Sequence, residues 1–182
     1  MDFLLNLDLQ MFRAVNYGMA NPIMDFIMPI ITREKFLLPV YILGLVLLAW
    51  KGGRKGRIVA IVLVVGAIIS DQLSSNLIKD LVGRLRPCQN LVDLRLLVPC
   101  GSGKSFPSSH SVNNFAAAIV LMHYYRRYTA VFLVVASIVA FSRIYVGVHY
   151  PLDVLGGAII GSLIGMLVVL LKNLINKQYK FE

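Results

Sequence analysis

Charge is what this 182-residue chain has least of: only 15% of its residues are Asp, Glu, Lys or Arg, against about a quarter in an ordinary soluble domain. With 58% hydrophobic residues and a mean hydropathy of +0.74, that scarcity argues against a soluble globular protein. Acidic groups are the rarer kind, 9 against 18 basic ones. The basic residues lie between apolar runs, the pattern of a membrane protein's loops rather than a groove-facing stripe, so nucleic-acid binding is not expected. The polar clusters contain no set of metal ligands and the two cysteines alone are too few for one, so no metal or other cofactor is expected. Internal repeats and low-complexity tracts are absent, which excludes solenoid and fibrous classes. The segment CGSGKS resembles part of a phosphate loop, but that pattern requires a glycine five residues before Gly103, and Val98 stands there. The start lacks a basic n-region, so a cleaved signal peptide is not expected. The length suits one domain, and residues 1–182 are read as a single membrane-embedded unit.

What is present in quantity is apolar runs. A helix needs roughly 20 apolar residues to cross a bilayer, and five runs qualify: Phe36 to Trp50, Ile58 to about Ile78, about Val112 to Tyr125, about Tyr128 to Ile144, and Leu152 to Leu171. The first is short and borrows from Thr32 to Lys35. Residues 1–31 are apolar but interrupted by Asp2, Asp8, Arg13, Asn16, Gly18, Asn21, Pro22 and Asp25. They read as one or two amphipathic helices lying in the interface, Pro22 opening the second, or else as a sixth span packed inside the bundle. The fold class expected is therefore all-α: an integral membrane bundle of about five transmembrane helices, or six, with N-terminal amphipathic interfacial helices. Lys51, Arg54, Lys55 and Arg57, then Arg126 and Arg127, then Lys172, Lys177 and Lys180 fall on one side with five spans. The positive-inside rule makes that side cytoplasmic and puts the 80–111 loop and the turn around Gly147 to Tyr150 outside. Gly157, Gly161 and Gly165, every fourth residue, read as a close helix crossing.

Polar residues gather at the outer helix ends. Asp71, Gln72, Asn76, Lys79, Asp80, Arg84 and Arg86 end the second span; Ser108, Ser109, His110, Ser111, Asn113 and Asn114 open the third. Ser142 and Arg143 end the fourth, and His149 and Asp153 precede and open the fifth. Polar groups at membrane depth are functional candidates by default. Lys79, Arg86 and Arg143 suit an anion such as phosphate, and the helix start at Pro107, Ser108 and Ser109 adds N–H groups and a dipole end. Asp153, four residues past His149 across Pro151, can reach back and leave the other ring nitrogen free to attack, with His110 as general acid. Asp71 reads as a buried hydrogen-bonding partner of Asn or Ser on a neighbouring helix, and His123 as interfacial packing near the opposite face. Cys88 and Cys100 could close a disulfide over the rim or stay as two thiols. A non-enzymatic lipid-binding or transport protein would use the same cations, but would need neither histidine.

These residues resemble the motifs of the type 2 phosphatidic acid phosphatase superfamily. KDLVGRLRP runs from Lys79 to Pro87, PSSH from Pro107 to His110, and SRIYVGVHYPLD from Ser142 to Asp153. The one departure is Ser109, where the family has glycine. The resemblance implies a metal-independent lipid phosphatase whose His149 attacks phosphorus to give a phosphohistidine. It implies Asp153 orienting that histidine, His110 protonating the leaving oxygen, and Lys79, Arg86, Ser108, Ser109 and Arg143 holding the phosphoryl oxygens. It further implies a bacterial inner-membrane location, an active site facing the periplasm, a lipid phosphate in the bilayer as partner and no protein partner. Among family substrates the chain looks most like a lipid A 1-phosphatase, with undecaprenyl diphosphate and phosphatidylglycerophosphate as alternatives. Arg95 and Lys104 add charge that could meet a polyanionic glycolipid or simply face anionic headgroups.

Overall fold

The structure of the protein is a computed structural model describing residues 2–179; Lys180 lies outside the described residues. Among the described residues all regular structure is helical. α1 (Asp2–Asn16) and α2 (Pro22–Thr32) lead into α3 (Glu34–Lys51) and α4 (Gly53–Asp71). α4 runs on without a break through a π-helical segment (Gln72–Ile78) into α5 (Lys79–Val82). α6 (Pro87–Asn90) sits in the loop after α5, and α7 (Ser109–Tyr124), α8 (Thr129–Tyr145) and α9 (Pro151–Tyr179) complete the chain. Among the described residues three stretches are long and apolar enough to cross a membrane, Gly53–Asn90, Arg126–Tyr145 and Pro151–Gln178, so the expected runs in α3 and α7 do not reach that measure by themselves. α3 does take up Glu34 and Lys35, and α9 continues well past Leu171.

The core is the seam between α4, α7 and α9, where Val59, Val62, Val112, Val120, Ile164, Val168 and Val169 are buried together. Small residues let α7 and α9 touch backbone to backbone. A Cβ added at Gly157 would stand 2.8 Å from the Ser108 carbonyl oxygen and one at Gly165 2.7 Å from that of Ala116, while one at Gly161 would run into the Val112 carbonyl. This close crossing sets the distance between the start of α7, with His110, and the start of α9, with Asp153. At the opposite end of the bundle Lys55 lies over the Tyr125 ring at 4.6 Å and Lys172 over Tyr124 at 5.7 Å. The basic segments after α3, after α7 and in α9 thus share one end.

Helix α2 starts as its sequence suggests: Pro22 occupies the first turn and the Asn21 side chain accepts the Met24 N–H at 3.0 Å. Helix α1 is amphipathic in an unexpected sense. Phe3, Leu4, Leu5, Leu7 and Met11 are exposed, whereas Asp8, Phe12 and Asn16, four apart on one face, are buried. Asn16 Nδ2 donates to the Arg95 and Tyr145 carbonyls, both at 2.8 Å, and its Oδ1 accepts the Arg95 N–H at 2.9 Å. The Arg95 guanidinium pairs with Asp25 at 2.5 Å, and Tyr145 OH donates to the same carboxylate at 2.6 Å. Hydrogen bonds from Arg95 and Tyr145 hold the Asp25 carboxyl below its usual range. Arg95, expected to meet a glycolipid, is instead engaged in docking α1 and α2 onto the bundle. Cys88 and Cys100 are joined in a disulfide with a Cα–Cα distance of 6.0 Å.

Candidate active site

All eight motif side chains come to the same end of the bundle, and the local structure explains how each gets there. The π-helical segment, in which the Lys79 N–H reaches back to the Ser74 carbonyl, adds a residue to the turn and re-aims the Lys79 side chain. Lys79 Nζ then donates to Ser109 Oγ at 2.6 Å, and that hydroxyl also lies 3.3 Å from Ser75 Oγ and 3.5 Å from Ser74 Oγ. The serine that replaces glycine in the motif is therefore a partner of the motif lysine. Gly83, with φ of 65°, ends the helix, and the backbone turns so that Arg86 points inward. Arg86 Nε donates to the Gly103 carbonyl at 2.9 Å and Nη1 lies 3.5 Å from His149 Nε2.

Residues 142–150 are buried without exception, an unusual state for a segment joining two helices. Gly147, at φ of 88°, makes the turn; a Cβ there would meet the Arg95 carbonyl oxygen at 2.6 Å. His149 is 2% exposed and burial, opposed by Asp153, pushes its imidazole down to about 3, so the ring is neutral at physiological pH. Its Nδ1 is 3.7 Å from Asp153 Oδ2, beyond hydrogen-bond length. Ser105 fills the gap: its hydroxyl donates to Asp153 Oδ2 at 2.5 Å and lies 3.4 Å from His149 Nδ1. The histidine and carboxylate expected to pair from the spacing thus stand at ion-pair distance, with the serine hydroxyl bonded to the carboxylate and beside the ring. Asp153 accepts further bonds from the Tyr150 N–H at 2.8 Å and from Arg84 Nη1 at 2.7 Å.

His110 Nε2 faces the Thr32 carbonyl at 3.1 Å, and Arg143 Nη1 donates to Thr32 Oγ1 at 2.5 Å. The last residue of α2 therefore caps both. Ser108 Oγ and Arg143 Nε are buried without a hydrogen-bond partner among the described residues. The Ser108 N–H, expected to be free for an anion, donates to the Asp153 carbonyl at 3.0 Å. Asp71 is exposed and accepts from Ser75 of its own helix at 3.1 Å, not from a neighbouring one. His123 is exposed, its ring edge-on to Tyr124 at 5.0 Å. Ser105, Thr32, Arg84 and Asp8 are the residues that sequence reasoning did not assign. Arg84 alone carried a signal, a third cation in the first motif; the others are ordinary residue types whose placement only the fold reveals. Among the described residues no group of three or more His, Cys, Asp or Glu is placed to hold a metal ion.

Comparison with known proteins fits this arrangement. A lipid A 4'-phosphatase of Bacteroides thetaiotaomicron is 34% identical over 177 residues, 91% of this chain and 77% of that protein. An undecaprenyl-diphosphatase of Sulfolobus acidocaldarius is 31% identical over 169 residues, covering 91% and 78% of the two chains. The crystal structure of Aquifex aeolicus LpxE superposes with a TM-score of 0.70 at 28% identity, covering 90% of this chain and 94% of that one. Residues 60–177, which carry all three motifs and the α4–α7–α9 seam, match the family description "PAP2 superfamily", and the chain belongs to that superfamily.

Proposed function

We propose that this chain is a lipid phosphatase that works through a phosphohistidine, without a metal, on lipid A at the outer face of a bacterial inner membrane. The observation that carries the reading is the setting of His149: buried and neutral, with Nδ1 turned to Ser105 and Asp153 and Nε2 turned to Arg86. A nucleophilic nitrogen beside a phosphate-binding guanidinium is what in-line attack on phosphorus requires. In the first step the Nε2 lone pair forms a bond to phosphorus, the bond from phosphorus to the lipid oxygen breaks, and His110, starting as the imidazolium, gives that oxygen its proton and is left neutral. Lys79, Arg86 and Arg143 offset the charge on the phosphoryl oxygens, aided by Ser108 and Ser109. Water then loses a proton to His110 and attacks phosphorus, the P–N bond breaks, and inorganic phosphate leaves. The unpartnered Ser108 Oγ and Arg143 Nε are donors of the kind that an anion satisfies.

The protein is, on this reading, a phosphoric monoester hydrolase acting on a lipid whose tail stays in the bilayer. If α3 and α7 cross the membrane together with the three long apolar stretches, five spans in all, the basic end lies in the cytoplasm, and the disulfide at the other end supports an oxidising, periplasmic side. The Bacteroides relative supports lipid A as the class; its name favours the 4'-phosphate over the 1-phosphate to which the sequence pointed. Undecaprenyl diphosphate is the second reading, supported by the Sulfolobus relative. The test is phosphate release by purified protein in detergent with chelator present, from lipid A, undecaprenyl diphosphate and phosphatidylglycerophosphate. Mass spectrometry of the product locates the phosphate removed from lipid A. Release that persists in chelator and falls at least about a thousand-fold in His149→Ala is expected. Release from none of the three lipids by folded protein would overturn the reading and favour a non-enzymatic lipid-binding or transport role.

A further inference from the structure

Behind Asp153 stands a charged pair to which the family resemblance assigns no role. Arg84 Nη1 donates to Asp153 Oδ1 at 2.7 Å while Nη2 of the same guanidinium bonds Asp8 Oδ2 at 2.5 Å. Asp8, on α1, uses its other oxygen to accept the Leu152 N–H at 2.8 Å, in the first turn of the helix that carries Asp153. Asp8 is 1% exposed and Asp153 is fully buried. The guanidinium lies on the Tyr150 ring at 4.2 Å, and Phe12, one turn along α1 from Asp8, packs edge-on against that ring at 5.5 Å. The Ser105 N–H donates to the Arg84 carbonyl at 2.7 Å, so the hydroxyl that bridges Asp153 and His149 is set by the same residue.

A buried carboxylate in this position has two needs: a counter-charge, or it takes up a proton, and a fixed direction, or it cannot hold the imidazole. Arg84 supplies both. Arg84 alone between carboxylate and solvent would be free to swing, being about one-fifth exposed at the side chain. Asp8 removes that freedom through the second arm of the planar fork, a geometry lysine does not reproduce.

We propose that Asp8 and Arg84 are positioning residues of the phosphatase reaction: the N-terminal helix reaches through Arg84 to fix Asp153, and through it and Ser105 the ring of His149. The inference rests on the phosphohistidine reading above and extends the site to a helix that the superfamily match, beginning at residue 60, does not include.

The test is a double-mutant cycle in kcat. Arg84→Gln and Asp8→Asn are made in the wild type and in an Asp153→Asn background and assayed for phosphate release from the best lipid found above, with competition by inorganic phosphate measured for each. In the wild type each change is expected to lower kcat about 10- to 100-fold, by analogy with groups that orient metal-bound histidines, leaving KM and phosphate inhibition within about two-fold because Lys79, Arg86 and Arg143 are untouched. In the Asp153→Asn background neither change should lower kcat further, because residues acting through one group are not additive. Losses that multiply in that background, or single variants with unchanged kcat, overturn the proposal. So does loss of phosphate inhibition together with activity, which assigns the pair to holding up the fold. Wild-type turnover separates the two claims: no release by wild type overturns the phosphatase reading and this inference with it, whereas release by wild type with unaffected variants overturns the inference alone.

Discussion

Ser105 stands between ring and acid, its one hydroxyl donating to Asp153 and lying 3.4 Å from His149 Nδ1, and it adds no charge. With the carboxylate oxygen 3.7 Å from Nδ1, removing the hydroxyl leaves the ring without a hydrogen-bonded neighbour on that side. Ser105→Ala is expected to lower kcat roughly ten-fold, about 1.4 kcal/mol of transition-state stabilisation, with KM nearly unchanged, as read from initial rates of phosphate release. Burial of His149 has its own signature in pH. The folded ring holds off protonation down to about 3, while an unfolded histidine titrates near 6.5. Between those values the unfolded chain binds a proton that the native one does not, so stability rises with pH and is lost as pH falls from about 6.5 toward 3. The melting temperature in detergent should drop across that window, and His149→Gln should drop less steeply. Of these residues the motif members were legible in the sequence because their types and spacing are distinctive. Ser105 and Thr32 were not, because a serine before a proline-containing turn and a threonine at a helix end carry chemistry only when the fold brings a partner to them.

Among the elements, the α7–α9 crossing bears most on the site. The glycine spacing in α9 announced it, and the backbone contact at Gly161 leaves no room for a side chain. Gly161→Val is expected to cost at least about 2 kcal/mol, seen as a lower melting temperature, and to reduce kcat by moving His110 relative to His149. α4 was legible as a span, but not its π-helical end, since the extra residue is a matter of hydrogen-bond register that composition does not report. α1 and α2 were legible as amphipathic helices with Pro22 at a start; the sense of α1 was not. Periodicity tells that Asp8, Phe12 and Asn16 share a face, yet whether that face meets water or protein depends on the partners waiting for it. Here Arg84, Tyr150 and Arg95 are those partners.

At the scale of the whole molecule, the ends of four helices and both N-terminal helices meet around one imidazole, so no single element contains the site. Lys79 and Arg86 come after α4, His110 opens α7, Arg143 ends α8, and Asp153 opens α9. The charge asymmetry of the loops and the polar clustering at helix ends made this convergence legible in outline, since a bundle of antiparallel helices must return its alternate ends to one side. The long-range hydrogen bonds were not legible, because nothing local relates residue 8 to residue 152. That separation also fixes an order of assembly. The partner N–H of Asp8, on Leu152, leaves the ribosome 144 residues after it, roughly 7 to 30 s at ordinary translation speeds. Asp8 can be withdrawn from water at no large cost only once Arg84 and the Leu152 N–H are both there to receive it. The site closes late, when α1 docks onto the start of α9, a helix made long after it.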